Sequence, residues 1–461
     1  MRSVNPSIFR EYDIRGVAHK DIDASFAFYL GRAFLRLARE RLGTQSPVIS
    51  VGHDCRLTGK EFSRALLTGL RTGGAHVLDL GLVTTPMTYF SLFQKKLGGA
   101  IMVTGSHNPP EYNGFKICIG KSTLHGQDIQ TLKKYMTEEM MQTSSTAVPE
   151  NDFQKLDIIP EYHSFIKDNV RLQRPLKIVV DAGNGSAGPF APAIYESLGC
   201  KVIPLYCEPD GRFPNHEADP TVVKNMQPLI ASVRKEGADL GIAFDGDADR
   251  IGVVDETGRI LWGDELMVLF SRDVLRKNPG ATIISEVKSS HRLYNDIRKN
   301  GGNAVMWKTG HSLIKAKMKE SGALLAGEMS GHIFFADRFF GFDDAIYAGA
   351  RFLEIVASSP QKTSSLLADL PAAVNTPEIR LDCDDAKKWG VIENLKNQLR
   401  GRYEVNEIDG VRVEFGDAWG LVRASNTQPV IVMRFEAQSA ERLEEVRGIL
   451  EDEAKKAGLV L

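Results

Sequence analysis

The chain predicts an α/β protein with three tandem α/β mixed-sheet domains of similar topology, followed by a smaller α+β domain with an antiparallel sheet. Three observations carry that expectation. The 461 residues exceed what one hydrophobic core accommodates, so several domains of about 100 to 150 residues are required. Short apolar runs alternate with helix-length amphipathic segments three times over, the pattern of βαβ units. After about residue 371 that rhythm gives way to closely spaced strand patterns with a single long charged helix at the end.

In the first unit, "PVISVGHD" (47–54), "AHVLDLG" (75–81) and "GGAIMVTG" (98–105) read as strands. The segments "GKEFSRALLTGLRTGG" (59–74) and "TPMTYFSLFQKKLG" (85–98) read as the helices between them. The polar stretch "MMQTSSTAVPENDFQ" (140–154) reads as a linker. A second unit runs through "LKIVVDAGNG", a helix from about 188, "KVIPLYC", a helix from about 221, and "DLGIAFDGDADRIGVVDETG". The third contains "ATIISEV", "HRLYNDIRKNGG", "NAVMWKTG", "HSLIKAKMKESG", "ALLAGEMSGHIFF" and the helical "DDAIYAGARFLEIVAS". The last comprises "EIRLDC", a helix, "YEVNEIDGVRVEF", "WGLVRAS", "PVIVMRFEA" and the helix "SAERLEEVRGILEDEAKKAG". The expected domains are 1–152, 153–257, 258–370 and 371–461.

Lys and Arg number 57 against 59 Asp and Glu, so no overall basic field attracts nucleic acid or an acidic membrane surface. An anionic ligand must therefore meet a local cluster of cations. The five cysteines (Cys55, Cys118, Cys200, Cys207, Cys383) are scattered and form no CxxC pair, which argues against a disulfide framework or a zinc site. The start, "MRSVNPSIFREYDIRG", has no apolar signal-peptide core, and no apolar run approaches the ~18 residues of a membrane span. A cytoplasmic location is the expectation.

Four loops concentrate chemistry. "TGSHNPP" ends an apolar run with Ser106 beside His107 and stiffens the exit with Pro109 and Pro110. It suits an ordinary polar loop, a nucleophile or a phosphate carrier. "FDGDADRIG" places Asp245, Asp247 and Asp249 at alternate positions on an extended or tightly looped backbone. Three crowded carboxylates are costly without a cation, and oxygen-only ligands suit Mg2+ or a similar hard ion. "GEMSGH" supplies Glu328, Ser330 and His332 on one side of an extended segment, groups that suit sugar hydroxyls or simply a polar turn. "RASNTQP" offers Arg423, Ser425, Asn426 and Thr427, a phosphate cradle in chemical terms and equally an N-capped loop. "VVDAGNGSAG" matches GxGxxG after a strand, but it reads as a tight strand-to-helix turn, because a dinucleotide site explains neither the aspartates nor the serine loop. Tyr12 and Arg15 of "YDIRG", with Lys116, Arg250, Lys288 and His311, add polar and cationic groups across all three α/β units.

Taken together, these motifs resemble the α-D-phosphohexomutase family, most closely its bacterial phosphomannomutase/phosphoglucomutase branch. The resemblance runs from "YDIRG" to "RASNTQP" in the family's order. It implies four domains around a central cleft and reversible phosphoryl transfer between C1 and C6 of mannose and glucose phosphates. Ser106 would be the phosphoryl carrier and glucose 1,6-bisphosphate the intermediate and activator. One Mg2+ per chain would be held by Asp245, Asp247, Asp249 and a phosphoserine oxygen. The catalytic set implied is Ser106, Lys116, Arg250, His311, His332 and Arg15, with the general acid and base left open among Lys116, His311 and His332, and His107 buttressing the loop. Substrate contacts would come from Tyr12, Lys288, Glu328, Ser330, Arg423, Ser425, Asn426 and Thr427. Glu328 and Ser330 would read O3 and O4. Phosphoglucosamine mutase is the nearest alternative, although Met329 stands where Gln is usual; a metal-dependent sugar phosphatase is the more distant one. Partners are hexose phosphates, with no nucleic acid or membrane, and a monomer is expected with a dimer as the alternative.

Overall fold

The computed structural model describes residues 5–142, 153–426 and 428–460. Its first three sheets share a topology. In the second sheet, strands Lys177–Asp181, Lys201–Leu205, Leu240–Phe244, Ile251–Asp255 and Ile260–Leu261 lie in the spatial order fifth, fourth, third, first, second. The third sheet repeats that order with Thr282–Glu286, Asn303–Trp307, Leu325–Gly327, Ile333–Phe335 and Phe342–Asp343. The first sheet keeps the four central strands as Val48–His53, His76–Leu82, Gly99–Val103 and Tyr112–Ile119, and adds Ile14–Val17 at one edge. In every case the first strand is parallel to the second and third, and the third turns back into an antiparallel fourth. The turn from third to fourth strand is thus an equivalent position in each unit. "TGSHNPP", "DGDADR" and "EMSGH" occupy it in the first, second and third units.

The fourth sheet is wholly antiparallel, running Val374–Asn375, Val430–Ala437, Ala418–Ala424, Val411–Glu414, Glu404–Asn406, with Ile379–Asp382 also on Val430–Ala437. Helices Lys388–Leu399 and Ala440–Lys456 cover it. Arg423 and Ala424 end one of its two longest strands and Val430 begins the other, so the fourth motif also joins an antiparallel pair.

Local sequence explains most boundaries. Helix Thr85–Gln94 starts where the Thr84 hydroxyl accepts the Met87 N–H and Pro86 fits the first turn. Helix Ala24–Leu42, absent from the sequence reading, is capped by Asp23 and ended by left-handed Gly43. It packs on helix Gly59–Thr72 so closely that a Cβ on Gly69 would sit 2.0 Å from the Phe28 carbonyl oxygen. The sequence reading also passed over helices Gln127–Gln142, Ile159–Asn169 and Gly263–Lys277. The helices expected from about 188 and 221 begin at Ala191 and Gln227. The residues before Ala191 are consumed by a turn with Gly183 and Asn184 in the left-handed region, and Gly188 presses on the Cys207 carbonyl. The expected linker is entered by helix Gln127–Gln142, and 143–152 lie outside the described residues.

One hydrophobic core runs through the first three units. Met87 and Phe90 of the first, Ile242 and Phe244 of the second, and Phe335, Phe342 and Tyr347 of the third belong to a single buried cluster. Each such side chain contributes about 1.5–3 kcal/mol by leaving water, so the shared cluster holds the three turns in fixed register. The fourth domain has its own core of Leu395, Val413, Met433, Val446 and Leu450. Among the described residues, no helix is long and apolar enough to cross a membrane.

Candidate active site

Ser106 sits where strand Gly99–Val103 ends, with its N–H held by the Thr104 hydroxyl at 2.8 Å. Its φ of 49° lies in the left-handed region, a strained setting for a non-glycine residue and one found at functional turns. The side chain donates to Asp245 Oδ2 at 2.8 Å, with Nδ1 of His107 3.1 Å away on the other side. Because the single hydroxyl proton goes to Asp245, His107 faces Oγ as the donor. Burial, then the Arg250 and Arg15 charges, push the His107 imidazole well below its ordinary range. Arg15 Nη1 bonds Asn108 Oδ1 at 2.6 Å, placing a guanidinium on the rim of the turn. Gly246 is the point of close approach: a Cβ there would be 2.4 Å from the Ser106 carbonyl oxygen.

The aspartate loop is tightly coiled, with Ala248 left-handed, and each of Asp245, Asp247 and Asp249 is 0% exposed. One carboxylate oxygen from each lies within 4.8 Å of the others. Asp245 Oδ1 accepts the N–H groups of Asp249 (3.0 Å) and Arg250 (3.1 Å). Lys116 Nζ donates to Asp247 at 2.7 Å and to Asp249. Burial opposes the lysine's charge, but the carboxylates of Asp247, Asp249 and Asp245 outweigh it and raise the ammonium well above its usual range. Burial likewise opposes ionisation of Asp247, and Lys116 overrides it, holding the carboxyl well below the ordinary range. Oδ1 of Asp247 and Oδ1 of Asp249 are buried without a partner among the described residues. Three converging carboxylates with two unused oxygens fit a hard divalent cation.

The sequence expectation for "GEMSGH" needs one correction. Rather than an extended segment, residues 328–332 form a tight hairpin turn closed by Glu328 N–H to the His332 carbonyl (2.9 Å) and Gly331 N–H to the Glu328 carbonyl (3.0 Å). Glu328 and Ser330 stay together, with Ser330 Oγ 3.1 Å from Glu328 Oε2, while Glu328 Oε1 accepts the Gly310 N–H at 2.7 Å. His332 turns instead toward the aspartates. Its Nε2 accepts from Arg250 Nε at 2.9 Å, which leaves the proton on Nδ1, 3.1 Å from both the Asp249 carbonyl oxygen and Asp343 Oδ2. His311 begins helix His311–Ser321 and stacks on His332 with ring centroids 5.4 Å apart. Burial and the Lys315 ammonium depress its imidazole well below the ordinary range, so it is neutral.

The fourth domain closes the other side. Arg423 Nε donates to Asp409 Oδ2 at 3.1 Å, and Asn426 Nδ2 reaches the Tyr12 hydroxyl at 2.8 Å. Tyr12 in turn donates to the Thr309 carbonyl at 2.9 Å. Ser425 Oγ accepts the Gln428 N–H at 3.1 Å. Lys288 Nζ lies 3.1 Å from Glu378 and 3.5 Å from Glu286. Thr427 lies outside the described residues. The site residues expected from sequence thus fall into two groups, Ser106, Arg15, Lys116, the aspartates, Arg250, His311 and His332 in one, and Tyr12, Lys288, Glu328, Ser330, Arg423, Ser425 and Asn426 in the other. They meet where Tyr12 packs edge-on against His311 (ring centroids 5.9 Å) and Glu328 holds the Gly310 N–H.

Sequence reasoning missed Asp343, Glu286 and Arg56. Asp343 stands between the two imidazoles, with Oδ2 3.1 Å from His332 Nδ1 and 3.7 Å from His311 Nδ1, and accepts Lys315 Nζ at 3.0 Å. The doubled acid before "AIYAGARF" was the available signal. Asp344 caps the helix, so Asp343 was left without a local task. Glu286 accepts the Thr309 hydroxyl at 2.5 Å and the Met329 N–H at 2.9 Å, tying the 328–332 turn to the loop before His311.

Comparison with known proteins assigns every unit. The chain matches "Phosphoglucomutase/phosphomannomutase, alpha/beta/alpha" domains I, II and III over residues 6–143, 160–258 and 262–374, and the C-terminal domain over 378–453. A phosphomannomutase/phosphoglucomutase of Pseudomonas syringae pv. tomato is 48% identical over 98% of this chain and 95% of its own. A phosphoglucomutase of Neisseria gonorrhoeae is 45% identical over 97% and 96%. The crystal structure of a family protein from Burkholderia thailandensis superposes with a TM-score of 0.92 at 44% identity, covering all of both chains. On these grounds the chain belongs to the phosphoglucomutase/phosphomannomutase family.

Proposed function

We propose that this protein reversibly moves a phosphoryl group between O1 and O6 of mannose and glucose monophosphates, using Ser106 as carrier and a hexose 1,6-bisphosphate as intermediate and activator. The observation that carries the reading is the contact of the Ser106 hydroxyl, buried and strained, with Asp245 of the aspartate loop. In the forward step the Ser106 Oγ–P bond breaks as a bond forms from phosphorus to a sugar hydroxyl oxygen, and that hydroxyl loses its proton. Neutral His311, whose Nδ1 has no hydrogen-bond partner among the described residues, is the acceptor left open, since both ring nitrogens of His332 are engaged. Lys116, held as an ammonium, neutralises charge and returns protons. Arg250 and Arg15 flank the transferring group. Mg2+, held by Asp245, Asp247, Asp249 and an oxygen of Ser106, would offset the charge on the phosphoryl oxygens.

The bisphosphate then turns so that its other phosphate faces Ser106 Oγ. That exchange requires a clamp that accepts either end of the sugar, the role assigned to Arg423, Ser425, Asn426, Thr427, Lys288 and Tyr12. Glu328 and Ser330 read O3 and O4, which stay near the turning axis in both orientations. Divisions at 152/153, 257/258 and 370/371 place one motif loop in each domain.

The test is conversion of mannose 1-phosphate and glucose 1-phosphate to the 6-phosphates, followed by 31P NMR with glucose 1,6-bisphosphate present. Ser106→Ala should lower turnover at least a thousandfold with an unchanged melting temperature, and intact mass should reveal about 80 Da on Ser106 of the native enzyme. Release of inorganic phosphate would identify a phosphatase, and preference for glucosamine 1-phosphate the other mutase.

A further inference from the structure

We infer that Arg56 is a positioning residue for phosphoryl transfer, a buried cation around which the Ser106 turn is wound and by which that turn is fastened to the aspartate domain. The inference rests on the mutase reading and adds to it a residue that touches neither sugar nor phosphate. Arg56 is 3% exposed. Its Nη1 donates to the carbonyl oxygens of Pro109 (2.6 Å) and Tyr112 (2.8 Å), and its Nη2 to those of Ser106 (2.8 Å) and Asn108. Four carbonyls from one turn therefore converge on one guanidinium, including that of the residue whose backbone is strained. Engaged in this way, those oxygens do not face a phosphoryl group that they would repel.

The other side of the guanidinium is fitted as closely. Asp54 accepts the Arg56 N–H at 2.9 Å and the Gly105 N–H at 3.2 Å, so one carboxylate ties the arginine's own loop to the entry of the turn. A Cβ on Gly105 would lie 2.5 Å from Arg56 Cζ, so glycine is needed there for the cation to lie against the backbone. From the second domain, Phe213 places its ring 5.2 Å from Cζ, and a Cβ on Gly211 would be 2.7 Å from Arg56 Cα. The same residue thus sets the conformation of the serine turn and its distance from the loop that carries Asp245. A lysine has one point of charge and cannot serve four acceptors in a plane.

The test compares wild type, Arg56→Lys and Arg56→Ala at saturating glucose 1,6-bisphosphate. A displaced carrier lowers kcat about a hundredfold or more, since misplacement by about 1 Å costs that much. KM for glucose 1-phosphate should move less than about threefold, because ground-state binding at the clamp is untouched. Millimolar guanidinium should restore part of the kcat of Arg56→Ala, whereas urea, of the same shape without charge, should not. Native kcat in Arg56→Lys with only a lowered melting temperature overturns the inference, as does rescue by urea equal to that by guanidinium. If neither variant folds, Gly105→Ala, which keeps Arg56 and crowds the guanidinium, should show the same loss of kcat, and native kcat there is equally decisive. Failure of the wild type itself to interconvert hexose phosphates would count against the mutase reading instead.

Discussion

Around Ser106, three domains meet through one continuous apolar core, and Ser106, Lys116, the three aspartates and His332 lie buried above it. Around Arg423, a domain with a separate core is attached by a small apolar cluster of Val287, Trp419 and Leu421 and by polar contacts: Asn426 to Tyr12, the Thr309 N–H to Asp409 (2.9 Å), Lys288 to Glu378, and Arg412 to the Ser289 carbonyl (2.8 Å). The difference separates two tasks. Reacting groups must stay within fractions of an ångström, which packing achieves. Under the proposed function, Arg423 and Lys288 would release their protein carboxylates to take a phosphate, which exchangeable ion pairs allow.

The carboxyls of the two regions show the same contrast. Asp344 and Glu378 are both largely buried. Asp344, at the base of the packed region, is pushed up to about 7, mainly by burial, with Tyr162 as hydrogen-bond donor and no cation beside it. Burial also acts on Glu378, yet Lys288 and Arg380 outweigh it and bring the group down to about 2. Burial raises the acid of the packed region, and neighbouring cations keep that of the fourth-domain junction ionised.

Three experiments probe this contrast. The largest effect is expected from Asp247→Asn, which removes charge from the packed region. We expect kcat to fall about a hundredfold, some 2.7 kcal/mol of barrier, and the Mg2+ requirement to rise, with KM little changed. A metal titration of activity checks it, and a rate indifferent to EDTA would break the assignment of the aspartates.

Arg423→Ala should reverse the pattern. KM for 1- and 6-phosphohexoses should rise together by about ten- to hundredfold, roughly 1.5 to 3 kcal/mol, with kcat nearly native. Steady-state kinetics in both directions decide it, since an effect on one isomer alone would require two phosphate sites.

The smallest effect concerns stability. With the folded Asp344 carboxyl at about 7 and an unfolded value of 3.8, the folded chain binds more protons between those limits. Its contribution therefore falls as pH rises from about 4 to 7. Asp344→Asn, which keeps an acceptor for Tyr162 and for the Tyr347 N–H, should remove that slope and raise the melting temperature at pH 8 by a few degrees relative to wild type. Equal melting temperatures for the two proteins at pH 8 would show that folding does not raise this acid.

The sequence by itself determined the α/β repeat, the change of rhythm near residue 371, and the four chemical loops, because all of these are local. Hydrophobic period, turn residues and runs such as "DGDADR" are written in neighbouring positions. The signals of helix Ala24–Leu42, the Asp23 cap and Gly43, are local as well. Tertiary structure alone decided which of these loops meet. His332 lies only four residues from Glu328, yet a hairpin turn sends the first to the aspartates and the second to the Gly310 N–H before His311. Asp343 and Arg56 carry no motif; each acquires its role from partners brought in by other segments, His332 and His311 for one, the carbonyls of residues 106–112 for the other. Electrostatic and hydrogen-bonding roles depend on distance in space, and only the packing of the shared core sets those distances.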